Sequence, residues 1–78
     1  MTRQQKAREA LLSEGFGSAE SLPSKAFGRF EKRDRKITQA VIFDGMKLDR
    51  AGDRFGLSRE RVRVIGLLAT RRAIGRFE

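Results

Sequence analysis

Residues 48–65 read LDRAGDRFGLSRERVRVI, and the spacing within this stretch decides the fold. Leu48, Ala51, Gly52 and Phe55 fall at i, i+3, i+4 and i+7, one face of a two-turn helix that stops at Gly56. Glycine adopts positive φ without steric cost, so Gly56 is the expected pivot. Leu57 is expected to plug the inside of the corner, and Ser58 to cap the next helix. That helix turns Val62, Ile65 and Ala69 inward. Gly52, small and on the inner face, is expected to let the second helix approach closely, as two helices crossing steeply over a short turn require.

Outward from this stretch, apolar residues recur at helical rather than alternating spacing, and only Pro23 interrupts them. The fold class is therefore all-α: a small bundle of about five helices with a C-terminal helix-turn-helix. A first helix is expected from Thr2 or Arg3 to about Ser13, with Ala7, Ala10 and Leu11 on one face and Gly15 as its stop. Residues 18–23 give a short helical turn. A short helix from Ser24 to about Lys32 presents Phe27 and Phe30 three apart. The charge block Glu31-Lys-Arg-Asp-Arg-Lys36 reads as a solvated face, with phosphate contact as the alternative. A further helix runs from Asp34, its expected N-cap, to about Phe43, and Asp44-Gly45 ends it. No repeat or linker divides the chain, so a single domain is expected over 1–78, with N-terminal helices over 1–36 and the helix-turn-helix core over 37–74.

Composition narrows the function. The 78 residues carry 18 Lys plus Arg against 10 Asp plus Glu, a formal charge of +8 on a chain that is still 38% hydrophobic. Such a chain is apolar enough to fold and basic enough to attract polyanions. A chain with 36% charged residues and no long uncharged apolar run has no transmembrane span. The start, Met-Thr-Arg-Gln-Gln-Lys, lacks the apolar stretch of a secretory signal, so the expected location is the bacterial cytoplasm, on the nucleoid when bound. Cys and His are both absent, which removes disulfides, thiolate chemistry, the usual zinc ligands and imidazole acid–base catalysis. Asp44, Asp49 and Asp53 are interrupted by Lys and Arg and have no calcium-loop spacing. No phosphate-binding loop or nucleophile elbow occurs. Neither metal, cofactor nor enzymatic activity is expected.

A helix-turn-helix places its second helix in the major groove of double-stranded DNA. With Val62 as the buried direction and about 100° per residue, Glu60, Arg63, Val64, Leu67 and Arg71 point outward, and Arg59 and Arg61 flank them. Arginine can bond guanine through two acceptors, glutamate can accept from cytosine, and valine can meet a thymine methyl. The expected base contacts are Ser58, Arg59, Glu60, Arg63 and Val64. Lys47, Arg50, Arg54, Arg61, Arg71 and Arg72 are expected to neutralise phosphates. Arg59 and Arg63 are like charges four apart, mildly unfavourable unless an anion lies between them.

The segment RFGLSRERVRVI, Arg54 to Ile65, resembles the last helix-turn-helix of primary bacterial sigma factors, region four, whose signature runs close to R-F-G-[VL]-[ST]-R-E-R-[VI]-R-Q-I. That resemblance implies binding to a promoter element, with base contacts from the residues matching Arg59, Glu60, Arg63 and Val64. Val64 stands where the family has Gln, so the target sequence does not carry over. AVIFDGMKLDRAGDRFGLSRERV, Ala40 to Val62, is similar in pattern to plasmid repressors of the KorA (TrfB) type, given a one-residue insertion near Met46. Both resemblances lie in the C-terminal half. Together they imply a lone DNA-reading module, plasmid- or phage-encoded, that represses by occupying a promoter. The competing expectation is a region-four-like protein that binds RNA polymerase and alters transcription without reading DNA. RNA or non-specific nucleic-acid binding is disfavoured by the absence of Tyr and Trp for base stacking. Leu67, Leu68, Ile74 and Phe77 are more apolar than a groove-bound helix end needs. They are expected to contact a second copy in a homodimer, or else to pack against Leu11 and Leu12.

Overall fold

The computed structural model describes residues 1–75, among which there are four α-helices, two 3₁₀ turns and no strand. Helix α1, Arg3–Ser13, starts at a capping box in which Thr2 Oγ1 accepts from the Gln5 amide and the Gln5 side chain accepts from the Thr2 amide. It ends before Gly15, whose φ of +91° lets the Phe16 amide return to the Leu11 carbonyl at 2.9 Å. Ala7 and Leu11 are fully buried.

The next segment departs from expectation. Ser24 begins only a 3₁₀ turn, Ser24–Ala26, and Phe27 is extended at φ −117°, ψ 155°. Helix α2, Glu31–Thr38, begins with Phe30 at its N-cap, so Asp34 lies inside the helix rather than capping it. Five helices become four because Phe27 and Phe30 have different partners. Phe27 is buried in the core and Phe30 is half exposed. The charge block is a solvated face only in part: Lys32 and Lys36 are exposed, but Arg35 is not. Arg35, its side chain only 15% exposed, turns back over residues 19–27. Its guanidinium donates to the carbonyls of Ala19 at 2.7 Å and Leu22 at 2.9 Å, and to Glu31 Oε2 at 2.5 Å. It also lies 4.6 Å from the centroid of the Phe27 ring. One arginine thereby adds hydrogen bonds to the carbonyls of this irregular segment, which makes few within itself.

Beyond Thr38 the helix widens into a π turn, Gln39–Phe43, closed by the Asp44 amide on the Gln39 carbonyl at 2.8 Å. A π turn has more residues per revolution, so consecutive side chains diverge less. Ala40, Val41 and Ile42 are all buried as a result. Helix α3, Leu48–Phe55, ends at Gly56 with φ +68°, ψ 33°. Helix α4, Arg59–Ile74, follows, N-capped by Ser58 and stopped at Gly75.

Helix α4 packs against α1, α2, the π turn and α3. Its inner face is narrow: Val62, Ile65, Gly66, Ala69 and Thr70 are buried. A Cβ on Gly66 would come within 2.9 Å of Val41 Cγ2 and 3.1 Å of Ile42 Cγ1, so this glycine sets the distance between α4 and the π turn. Leu67 does not point to solvent, contrary to expectation. It and Ile74 are partly buried against the core, because the layer of elements around α4 covers more of its circumference than a single inner stripe. Among the described residues of that expected dimer surface, Leu68 is the exposed one, at 37%. Phe77 lies outside the described residues.

Gly52 is buried, and what approaches it is the corner itself. A Cβ there would lie 2.7 Å from the Leu57 carbonyl oxygen and 3.4 Å from the Arg59 amide nitrogen. The clashing atom is backbone, which a rotamer change cannot move. Overpacking of about 1–3 kcal/mol should therefore exceed the roughly 1 kcal/mol that alanine gains over glycine in a helix. Gly52→Ala is expected to lower the urea midpoint, with a net loss of roughly 1 kcal/mol. Gly17→Ala, at a site with open space and no positive φ, is expected to be neutral or slightly stabilising.

Thr38 is fully buried and its hydroxyl has no partner among the described residues. Valine has nearly the same shape and no polar atom to desolvate. Thr38→Val is expected to raise stability by about 1 kcal/mol in the same denaturation assay.

Candidate nucleic-acid interface

The corner between α3 and α4 is built by three successive residues. Gly56 takes the left-handed conformation, and its amide closes the last turn of α3 on the Gly52 carbonyl. The Leu57 amide donates to the same carbonyl at 2.9 Å, and the Leu57 side chain packs against the core. Ser58 is extended, and its Oγ accepts from the Arg61 amide at 3.0 Å. Of the residues expected to pack this corner, Ala51, Gly52, Val62 and Ile65 are buried, and Leu48, Phe55 and Leu57 are partly buried against the same core.

The first turn of α4 emerges from the corner into solvent. Ser58, Arg59, Glu60 and Arg61 are all exposed. Arg59 reaches back across the corner to Asp49 on α3, 3.5 Å away, with both side chains open to water. Arg63 is 32% exposed and meets Glu60 as a fork, its Nε donating to Oε1 at 3.0 Å and a terminal nitrogen donating to Oε2. Each of the two arginines four apart therefore has its own carboxylate, and the repulsion expected between them is met within the chain. Arg63 still has three N–H groups not used in the fork. Val64 departs further from expectation. It is half buried and lines a hollow together with Phe27 and Phe30, so it does not stand on the same open surface as Arg59 and Glu60.

The residues expected to meet phosphates are Lys47 before α3, Arg50 and Arg54 on α3, and Arg61, Arg71 and Arg72 on α4. All six are exposed, and no carboxylate of the described residues pairs with them. Four of them flank the corner and the start of α4, while Arg71 and Arg72 lie in the last turn, where cations also complement the helix dipole. The sequence reading missed Gly66, Phe30 and Arg35. For Gly66 a signal existed, since a glycine among Val62, Ile65 and Ala69 on an inner face marks close approach.

Comparison with known protein families, with characterised proteins and with solved structures finds no match.

The Arg63 fork holds the Glu60 carboxyl below the usual glutamate range, with the charge of Arg59 adding in the same direction, and Glu60 in turn raises the Arg63 guanidinium. A carboxyl with a lowered folded value contributes stability above the ordinary glutamate range, and that contribution is lost as pH falls through the lowered value. In a carbon-detected NMR titration, Glu60 is expected to titrate below the ordinary glutamate range. Arg63→Gln is expected to move its midpoint upward, back toward that range.

Proposed function

We propose that this chain is a sequence-specific, double-stranded DNA-binding transcriptional regulator, in which α3, the Gly56 corner and α4 act as a helix-turn-helix. Repression by occupying a promoter is the simplest mechanism for so small a module. The observation that supports this reading is the open, cationic first turn of α4 behind a left-handed glycine, flanked by Lys47 before α3 and by Arg50 and Arg54 on it. In a major groove, the Glu60–Arg63 fork would present the arginine's remaining donors in a fixed plane, which suits the two acceptors of guanine. Arg59 would give up a loose exposed contact with Asp49, which costs little. Val64 enters this reading only at its margin. The base contacts rest on Ser58, Arg59, Glu60 and Arg63.

The test is selection from a random duplex pool followed by binding measurements on the enriched sequence. Arg63→Ala is expected to weaken cognate binding by about 1–3 kcal/mol and to relax the choice at one base pair. Arg54→Ala is expected to weaken cognate and random duplexes alike, and to lower the slope of log K against log salt by about 0.9. No enriched sequence, or equal losses on cognate and random duplexes from both substitutions, would contradict the proposal.

A further inference from the structure

A second surface lies on the side of α4 that faces the turn before α2. Val64 and the nearly buried Phe27 and Ile65 form the floor of a hollow of about 400 Å³. Phe30, 51% exposed, and Leu68 form its open apolar walls. Four guanidinium groups line it: Arg29, Arg33, Arg61 and Arg72. Among the described residues the only carboxylate lining it is Asp34, which is bound to Arg33 Nε at 3.0 Å.

Phe30 is the informative residue. It occupies the N-cap of α2 at φ −102°, ψ 54° and makes no side-chain cap. Serine, aspartate or asparagine there would typically stabilise the helix by about 1 kcal/mol. The sequence instead places a half-exposed aromatic ring at this position, and Arg33 lies over it at 4.6 Å from the ring centroid. The cation holds the ring against the hollow and covers one of its faces.

An apolar floor enclosed by four arginines calls for an occupant that brings apolar side chains and carboxylates together. Duplex DNA offers phosphates but nothing to fill the floor. A single-stranded base would need a Phe30 face, and Arg33 already covers one. The described residues contain no strand to extend by pairing, so an extended peptide would gain no main-chain ladder. An amphipathic helix fits, with anchors at i, i+3 or i+4, and i+7. We propose that this groove docks an acidic amphipathic helical segment of a partner protein, whether or not α4 reads DNA, with Arg61 and Arg72 shared between the groove and the expected phosphate contacts.

The probe is a synthetic acidic helical peptide of about 16 residues, with Leu at those anchor positions and Glu between them, titrated into isotope-labelled protein and compared with a scrambled peptide of equal composition. A Kd of about 10–100 μM is expected for the patterned peptide, with shifts concentrated at Phe30, Val64 and Leu68. Phe30→Ser and Leu68→Gln are each expected to weaken it by about tenfold. Leu12→Gln, an exposed apolar position on α1, should leave it unchanged. Phe30→Ser adds a helix cap, so its folded state should be retained and its loss of binding remains interpretable. Equal binding of the scrambled peptide would reduce the effect to charge attraction and overturn the proposal. So would absent binding, or tighter binding of an oligothymidine at the same residues. A dimer in sedimentation equilibrium that Leu68→Gln dissolves would also overturn it, by making the occupant a second copy.

Discussion

The arrangement depends on how closely α4 can approach the π turn of α2. Gly66 leaves no room for even a methyl group against Val41 and Ile42, and Ala69 and Thr70 keep the next turn thin. A helix this slender on its inner side can be surrounded by α1, α2, the π turn and α3, with no fully buried side chain larger than Thr70 in its C-terminal half. Thr70 fits there because its hydroxyl returns to the Gly66 carbonyl at 3.0 Å and needs no outside partner. Enclosure on so many sides limits the exposed surface of α4. What remains is its first turn, one lengthwise strip through Arg61, Leu68 and Arg72, and Arg71 beside that strip in the last turn.

The local geometry of α1, α3 and α4 was legible because it is written in short-range terms. Ala7 and Leu11 with Gly15 as a stop spell α1, and Gly56 with Ser58 spells a corner followed by a cap. Each of these depends on residues no more than four apart. The segment between α1 and α2 was not legible, for the opposite reason. Phe27 and Phe30 at a spacing of three imitate a helix face, but their environments are decided by distant partners: the core for Phe27 and solvent beside Arg33 for Phe30. The role of Arg35 is equally non-local, since its carbonyl partners are 13 and 16 residues away. In a run of six charged residues nothing marks the one that turns inward.

The same distinction divides the candidate sites. The exposure of Ser58, Arg59 and Glu60 follows from their place at the start of a helix that leaves a corner, and the spacing alone conveys it. The misplacement of Leu67 and Val64 follows from choosing Val62 as the single buried direction. A helical wheel assigns one inner face, whereas α4 has neighbours on several sides. Leu67 is covered by them, and Val64 lines a hollow that exists only because residues 27–30 fold over it. Neither fact has a signature within α4.

Charge is distributed in a way that the net value of +8 conceals. Two carboxylates near the corner are engaged with the arginines expected to read bases: Asp49 with Arg59, and Glu60 with Arg63. The cations expected to meet phosphates have no such partners among the described residues. Under the proposed reading this separates two tasks. Long-range attraction comes from charges with nothing to give up, and it weakens with salt. Discrimination comes from guanidinium groups whose orientation is already fixed by a carboxylate, so less side-chain freedom is lost when they meet a base. An arginine held this way contributes less net charge to the approach and more geometry at contact, which is the balance a small module with few base contacts requires.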